Sequence, residues 1–146
     1  MMTEAKTLSD LDKKALLAMS LPPVTMDVEK GHIKRFSEAI GDTNPLWSDE
    51  SASGVIAPPT FLRMMITEAP TPPELAPFPQ MLDGASDWTY MEPVRPGDVI
   101  TAVTRFASVN QRNIAVGLAV FLVLETDYTN QDGLAVARQR NTLIRY

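Results

Sequence analysis

The chain has 146 residues, 45% of them hydrophobic and 21% charged, and a net charge of −5. These values describe one globular domain, soluble in character and long enough to bury roughly two thirds of the surface its unfolded form exposes. The acidic balance argues against nucleic acid or an anionic membrane as the partner; the absence of cysteine excludes disulfides, thiolate metal sites and a thiol nucleophile, and one histidine is too few for a histidine-based metal centre.

In chain order, Ser9-Asp10-Leu11-Asp12 followed by Lys13 to Met19 predicts a short helix opened by a Ser-x-x-Asp capping box and stopped by Pro22-Pro23. Residues 1–21 then form a helical extension ahead of the rest of a single domain. Val24 to Glu29 predicts a first strand. Gly31 to Ile40 predicts a second helix, with Ile33, Phe36 and Ile40 on one face, Lys34, Arg35 and Glu38 on the other, and Gly41 as a left-handed cap. Asp42 to Gly54 reads as a polar loop. Ile56 to Glu68 predicts a third helix, apolar on most of its surface and therefore buried. Pro58-Pro59 fits its first turn, where the missing amide donors have no intrahelical partner anyway.

Ala69 to Gln80 carries five prolines and predicts a stiff, mostly extended connector without regular structure. The remaining third is β. Strands are expected at Trp88 to Pro93, Val99 to Val109, Ile114 to Tyr128 and Leu134 to Tyr146, with turns at Arg95-Pro96-Gly97-Asp98 and Asn130-Gln131-Asp132-Gly133. From Ile114 to Leu124 both alternation phases are apolar, which predicts a strand covered on both faces. The sum is an α+β layout, a mostly antiparallel sheet around one apolar helix, whose edge strands invite a second subunit. No apolar run reaches the ~18 residues a membrane span needs, and the acidic N-terminus is unlike a signal peptide, so a cytoplasmic location is expected.

Four motifs stand out in order: Phe36 to Pro45 ending in Gly41-Asp42-Thr43-Asn44-Pro45, Ile56-Ala57-Pro58-Pro59-Thr60-Phe61, Pro93-Val94-Arg95-Pro96-Gly97-Asp98, and Tyr128-Thr129-Asn130-Gln131-Asp132-Gly133. Together they resemble the MaoC-like dehydratases and (R)-specific enoyl-CoA hydratases, in particular the N-terminal "FAS1-like dehydratase" half, from about Pro22 to the end. The resemblance implies a single hot-dog fold, two such units side by side, and an acyl-CoA thioester in a tunnel between them. Coenzyme A enters as part of the substrate, with no separate cofactor. In that family an Asp and a His hold a water that adds across an α,β-unsaturated thioester, while a backbone amide at the head of the central helix polarises the carbonyl. Water must lose a proton, the α-carbon must gain one, and the enolate oxygen needs a fixed donor.

Carried over residue by residue, Asp42 and Asn44 match. Trp47 stands where the family has histidine, and indole has no basic nitrogen. The one histidine, His32, lies fifteen positions upstream and reads as a solvated first-turn residue. At the head of the central helix, Pro58-Pro59 replaces His-Gly, so Pro59 offers no amide hydrogen. Imidazole and oxyanion donor are therefore both missing from one locus.

Plainer roles stand beside these. Asp42 and Asn44 suit backbone-bonding turns; Trp47 suits packing or the filling of a former catalytic pocket; Arg95 reads as structural. Pro58, Pro59, Thr60, Phe61 and Met64 are candidates to line an acyl tunnel with Trp47, although Phe61, Leu62, Met64, Met65 and Ile66 are core positions first. The expectation is a non-catalytic subunit of a heteromeric enoyl-CoA hydratase or dehydratase that accommodates a long or bulky acyl group. A self-sufficient homodimer with an atypical site, a hot-dog thioesterase and an acyl-CoA-binding scaffold are the alternatives.

Overall fold

The computed structural model describes residues 6–49, 51, 53–66 and 68–146; Glu50 and Ala52, in the expected loop, and Thr67, in the expected third helix, lie outside that set. Five strands form one antiparallel sheet: β1 (Val24–Asp27), β2 (Met81–Tyr90), β3 (Val99–Ile114), β4 (Gly117–Thr129) and β5 (Ala135–Arg145), in the spatial order β1-β3-β4-β5-β2. This is the α+β hot-dog layout expected. The capping box is present in α1 (Asp10–Ala18), where Ser9 and Asp12 exchange bonds of 2.9 and 3.0 Å. In α2 (Lys30–Ala39), Gly41 has φ +68°, and the Gly41 and Asp42 amides return to the carbonyls of Glu38 and Ser37, a Schellman motif.

The third helix differs from expectation. It is a 3₁₀ helix, Pro59–Met65, in place of a helix over Ile56 to Glu68. Its first bond runs from the Phe61 amide to the Pro58 carbonyl at 2.9 Å, the i→i+3 pattern of a 3₁₀ turn. Ile66 is already extended, and the Arg63 guanidinium bonds its carbonyl at 2.6 Å. The connector also departs from a purely extended spacer. It contains a 3₁₀ turn, Pro73–Leu75, and it inserts Leu75 and Phe78, both fully buried.

Several strand boundaries move. β2 begins at Met81, seven residues before the expected Trp88, because Met81 to Tyr90 pairs along β5 from Arg145 to Ala137. It stops at Tyr90, where both the Met91 and Glu92 amides turn to the Val136 carbonyl. The polar run Asn110 to Asn113, outside the expected strands, lies in β3, paired with Leu118 to Phe121; the hairpin reverses at Ala115-Val116 before Gly117, φ +116°. The other face of β4 is only half-covered at Phe121 and Val123. Arg112 lies 3.8 Å from the Phe121 ring centroid there, so its long side chain supplies part of the cover expected on that face.

Two apolar clusters share the inner face. One packs the central helix (Phe61, Leu62, Met65) on Ile100, Ala102, Tyr128 and Ala137. The other packs Leu16, Leu75 and Phe78 on Phe106, Leu122, Leu124 and Leu143. Between them the register sets a polar row, Thr104 opposite Thr126 and Thr126 opposite Gln139. No helix among the described residues is long and apolar enough to cross a membrane.

Tyr128 abuts this row, donating from its hydroxyl to Gln139 Oε1 at 3.3 Å. Burial pushes its phenol up from 10.0 to about 12, with the Arg63 charge pulling the other way. The folded phenol thus ionises later than the unfolded one. Its contribution is complete below pH 10 and is lost as pH rises toward about 12. Denaturant melts across that alkaline window should show stability falling, and Tyr128→Phe should flatten the part of the fall that Tyr128 causes.

Candidate functional site

The Asp42-to-Trp47 loop is built from side chains bonding backbone. Asp42 Oδ1 accepts the Asn44 amide at 3.0 Å, and Asn44 Oδ1 accepts the Leu46 amide at 3.0 Å, capping a one-turn 3₁₀ helix, Pro45–Trp47. The Ile56 amide then reaches the Leu46 carbonyl, and the Ala57 amide reaches that of Val94, which holds the loop to the head of the central helix. The loop therefore presents Trp47 toward Pro58 and Pro59.

Two cavities meet at Trp47. An open groove of about 770 Å³ is lined by Lys30, Lys34, Ser37, Asp42, Asn44 and Trp47. Lys30 and Asp49, both on its wall, form an ion pair. A smaller cavity of about 250 Å³ is lined by Trp47, Pro58, Pro59, Leu62, Tyr90 and Met91, with Glu92 at its edge. The indole is half-buried, and its Nε1 is fully buried with no hydrogen-bond partner among the described residues. That costs free energy in a packed site.

The expected site residues divide. Asp42, Asn44 and Trp47 share the groove; Trp47, Pro58 and Pro59 share the apolar cavity. Phe61 is a correction: it is fully buried and lines neither, its ring meeting Phe36 and His32 edge-on at 5.7 and 5.4 Å. His32 is accordingly half-buried packing and not a solvated side chain. Thr60 is exposed and Met64 half-buried against the first cluster, and neither lines these cavities. Arg95 is structural as expected, with its amide on Asp98 Oδ2 at 2.8 Å and its guanidinium on the Ser53 carbonyl.

Lys30, Lys34, Tyr90 and Met91 were missed. Lys30 and Lys34 are four apart on one helix face, a readable signal. Tyr90 and Met91 reach the site only through strand pairing. Chemically, the arrangement offers carboxylate oxygens, a Lys pair and an indole N–H, but no imidazole. The first amide hydrogen at the head of the central helix belongs to Thr60, because two prolines precede it.

Comparison with known proteins agrees with this geometry. Residues 15–139 match the model of the FAS1-like, dehydratase domain region. A UPF0336 protein of Streptomyces coelicolor is 31% identical over 108 residues, covering 66% of this chain and 72% of that protein. Among solved structures, the ChsH1–ChsH2 complex of Mycobacterium tuberculosis contains a chain of TM-score 0.74 at 20% identity, covering 91% of this chain and 87% of that one. A MaoC-like dehydratase from Rhodospirillum rubrum follows at TM-score 0.65 and 20% identity, covering 89% and 93%. With the hot-dog sheet and four ordered motifs, the chain belongs to the family of the FAS1-like, dehydratase domain region.

Proposed function

We propose that this chain is the non-catalytic, substrate-accommodating half of a heteromeric enoyl-CoA hydratase or dehydratase that acts on long or bulky acyl-CoA thioesters. One observation carries the reading: at the locus where hydration needs a base and a carbonyl donor, Trp47 replaces the first and Pro59 removes the second. Asp42 and Asn44 fit this role, because each has an oxygen engaged by backbone, which keeps the loop without any catalytic task. The partner would carry the Asp, the His and the amide. A solved neighbour being a two-protein complex supports a second hot-dog subunit.

The seat for that subunit is β2. It is a ten-residue edge strand, and its side chains are exposed, with Met81, Leu82 and Tyr90 each about half accessible. Such an edge favours pairing with another chain. The acidic, cysteine-free composition fits a cytoplasmic setting, with coenzyme A entering only as part of the substrate.

Purified alone, the chain should hydrate crotonyl-CoA at a negligible rate. General acid–base help is worth about 100- to 10,000-fold and an oxyanion donor about 100- to 1,000-fold. Trp47→His alone should recover little, and Trp47→His with Pro59→Gly should recover more. Turnover of about ten per second by the unmodified chain, abolished by Asp42→Ala, refutes the reading. Independently, Asn44→Ala should lower unfolding stability by about 1 kcal/mol through loss of its cap. An unchanged denaturation midpoint would show that the loop does not depend on that bond.

A further inference from the structure

The inner face of a hot-dog sheet packs apolar side chains, yet here a polar band divides it. Gln139 is 5% exposed and Thr126 4%. Thr104 and Thr126 hydroxyls lie 2.8 Å apart, and Gln139 Nε2 donates to Ser86 Oγ at 2.9 Å. Asn141, on the same face two residues beyond Gln139, has a buried Oδ1 without a hydrogen-bond partner among the described residues. An unsatisfied buried acceptor is costlier than the apolar side chain that could replace it.

A third cavity, about 140 Å³, lies over this band. Its floor is Thr104, Thr126, Gln139 and Asn141, and its side walls include Leu124 and Leu143; Arg63 and Pro70 close it from the helix and connector side. The volume suits about four waters or one functional group on a larger ligand. Polar floor with leucine walls suits an oxygen atom carried on a hydrocarbon skeleton. The charges disfavour a carboxylate, since Arg63 is opposed at the rim by Glu68 and Asp83. Asn141 Oδ1 lacks a donor, which favours a hydroxyl over a ketone. Asn141 itself lines the cavity. Leu62 lines the cavity beside Pro59 and the adjacent Arg63 lines this one, so the two cavities lie at neighbouring residues of the central helix.

We infer that this polar cavity is a specificity subsite for a hydroxyl group borne on the acyl chain, remote from the thioester. The inference rests on the acyl-CoA reading above and names the substrate class within it: hydroxylated acyl thioesters. Asn141 and Thr126 are specificity residues here, and neither touches the reacting atoms.

Calorimetric titration of the reconstituted heteromer with 12-hydroxydodecanoyl-CoA and with dodecanoyl-CoA tests it. The hydroxylated thioester should bind roughly tenfold more tightly, as one or two net neutral hydrogen bonds allow. Asn141→Leu and Thr126→Val should erase that preference while dodecanoyl-CoA affinity stays as it was, which also certifies that the variants fold. Dodecan-1-ol, followed through the side-chain amide NMR signals of Gln139 and Asn141, separates the two ideas. Shifts with the alcohol, with neither thioester binding, uphold the hydroxyl subsite and remove the acyl-CoA reading. Equal affinity for the two thioesters with unmoved amide signals overturns the subsite, leaving a cavity for water alone. Silence from all three probes overturns both.

Discussion

Two adjacent prolines at the head of the central helix constrain most of what surrounds them. Pro58 and Pro59 fix their own φ angles and supply no amide hydrogens, and the helix starts with an i→i+3 bond from Phe61 to Pro58. It then runs only from Pro59 to Met65. Phe61 remains at the centre of the first cluster, where burying such a ring contributes about 1.5–3 kcal/mol. The helix covers half of the inner sheet face. The other half is roofed by Leu16 of α1 and by Leu75 and Phe78 of the connector. The N-terminal extension is held in that role by Gln111, whose side-chain amide bonds both the amide and the carbonyl of Leu8. The seam between the two roofs is where the polar row and its cavity lie.

The same prolines bear on chemistry through what they lack. A helix head with amide hydrogens is a ready electrophilic donor, and here the first one is displaced to exposed Thr60. Across from it, the Asp42 loop survives in shape because its bonds are structural: Schellman amides at Gly41 and Asp42, then side-chain bonds from Asp42 and Asn44 to the next amides. A loop stabilised in this way holds its path whether or not the residue at its end is basic. Trp47 occupies that end and separates the polar groove from the apolar cavity. Persistence of the motif is thus compatible with loss of the reaction.

The fold was legible where sequence features act locally or in a known order. The Ser9–Asp12 box, the Gly41 cap and the turns at Gly97 and Gly133 are encoded within a few residues, and the four motifs give the architecture. What escaped depends on pairing across the sheet. Met81 to Asp87 looks like a continuation of the connector, with Asp83 and Gly84 in it, and becomes strand only because β5 supplies partners. Asn110 to Asn113 is strand for the same reason, against β4. The length of the central helix was misjudged because its apolar pattern continues past Met65 while its hydrogen bonding does not. At the site, Asp42, Asn44, Trp47 and the prolines were readable from the motif. Tyr90 and Met91 were not, and the polar row of Thr104, Thr126 and Gln139 is invisible along the chain, since its members lie on three strands.

The central claim is that this half shapes a site whose chemistry belongs to a partner chain. It is tested most directly in the reconstituted heteromer, by measuring kcat for a long-chain enoyl-CoA with one half altered at a time. The account predicts that Asp42→Ala in this chain leaves kcat within about twofold, while loss of the partner's motif aspartate lowers it by at least about 100-fold. A collapse of kcat on Asp42→Ala, with this chain still folded and still paired, would contradict it.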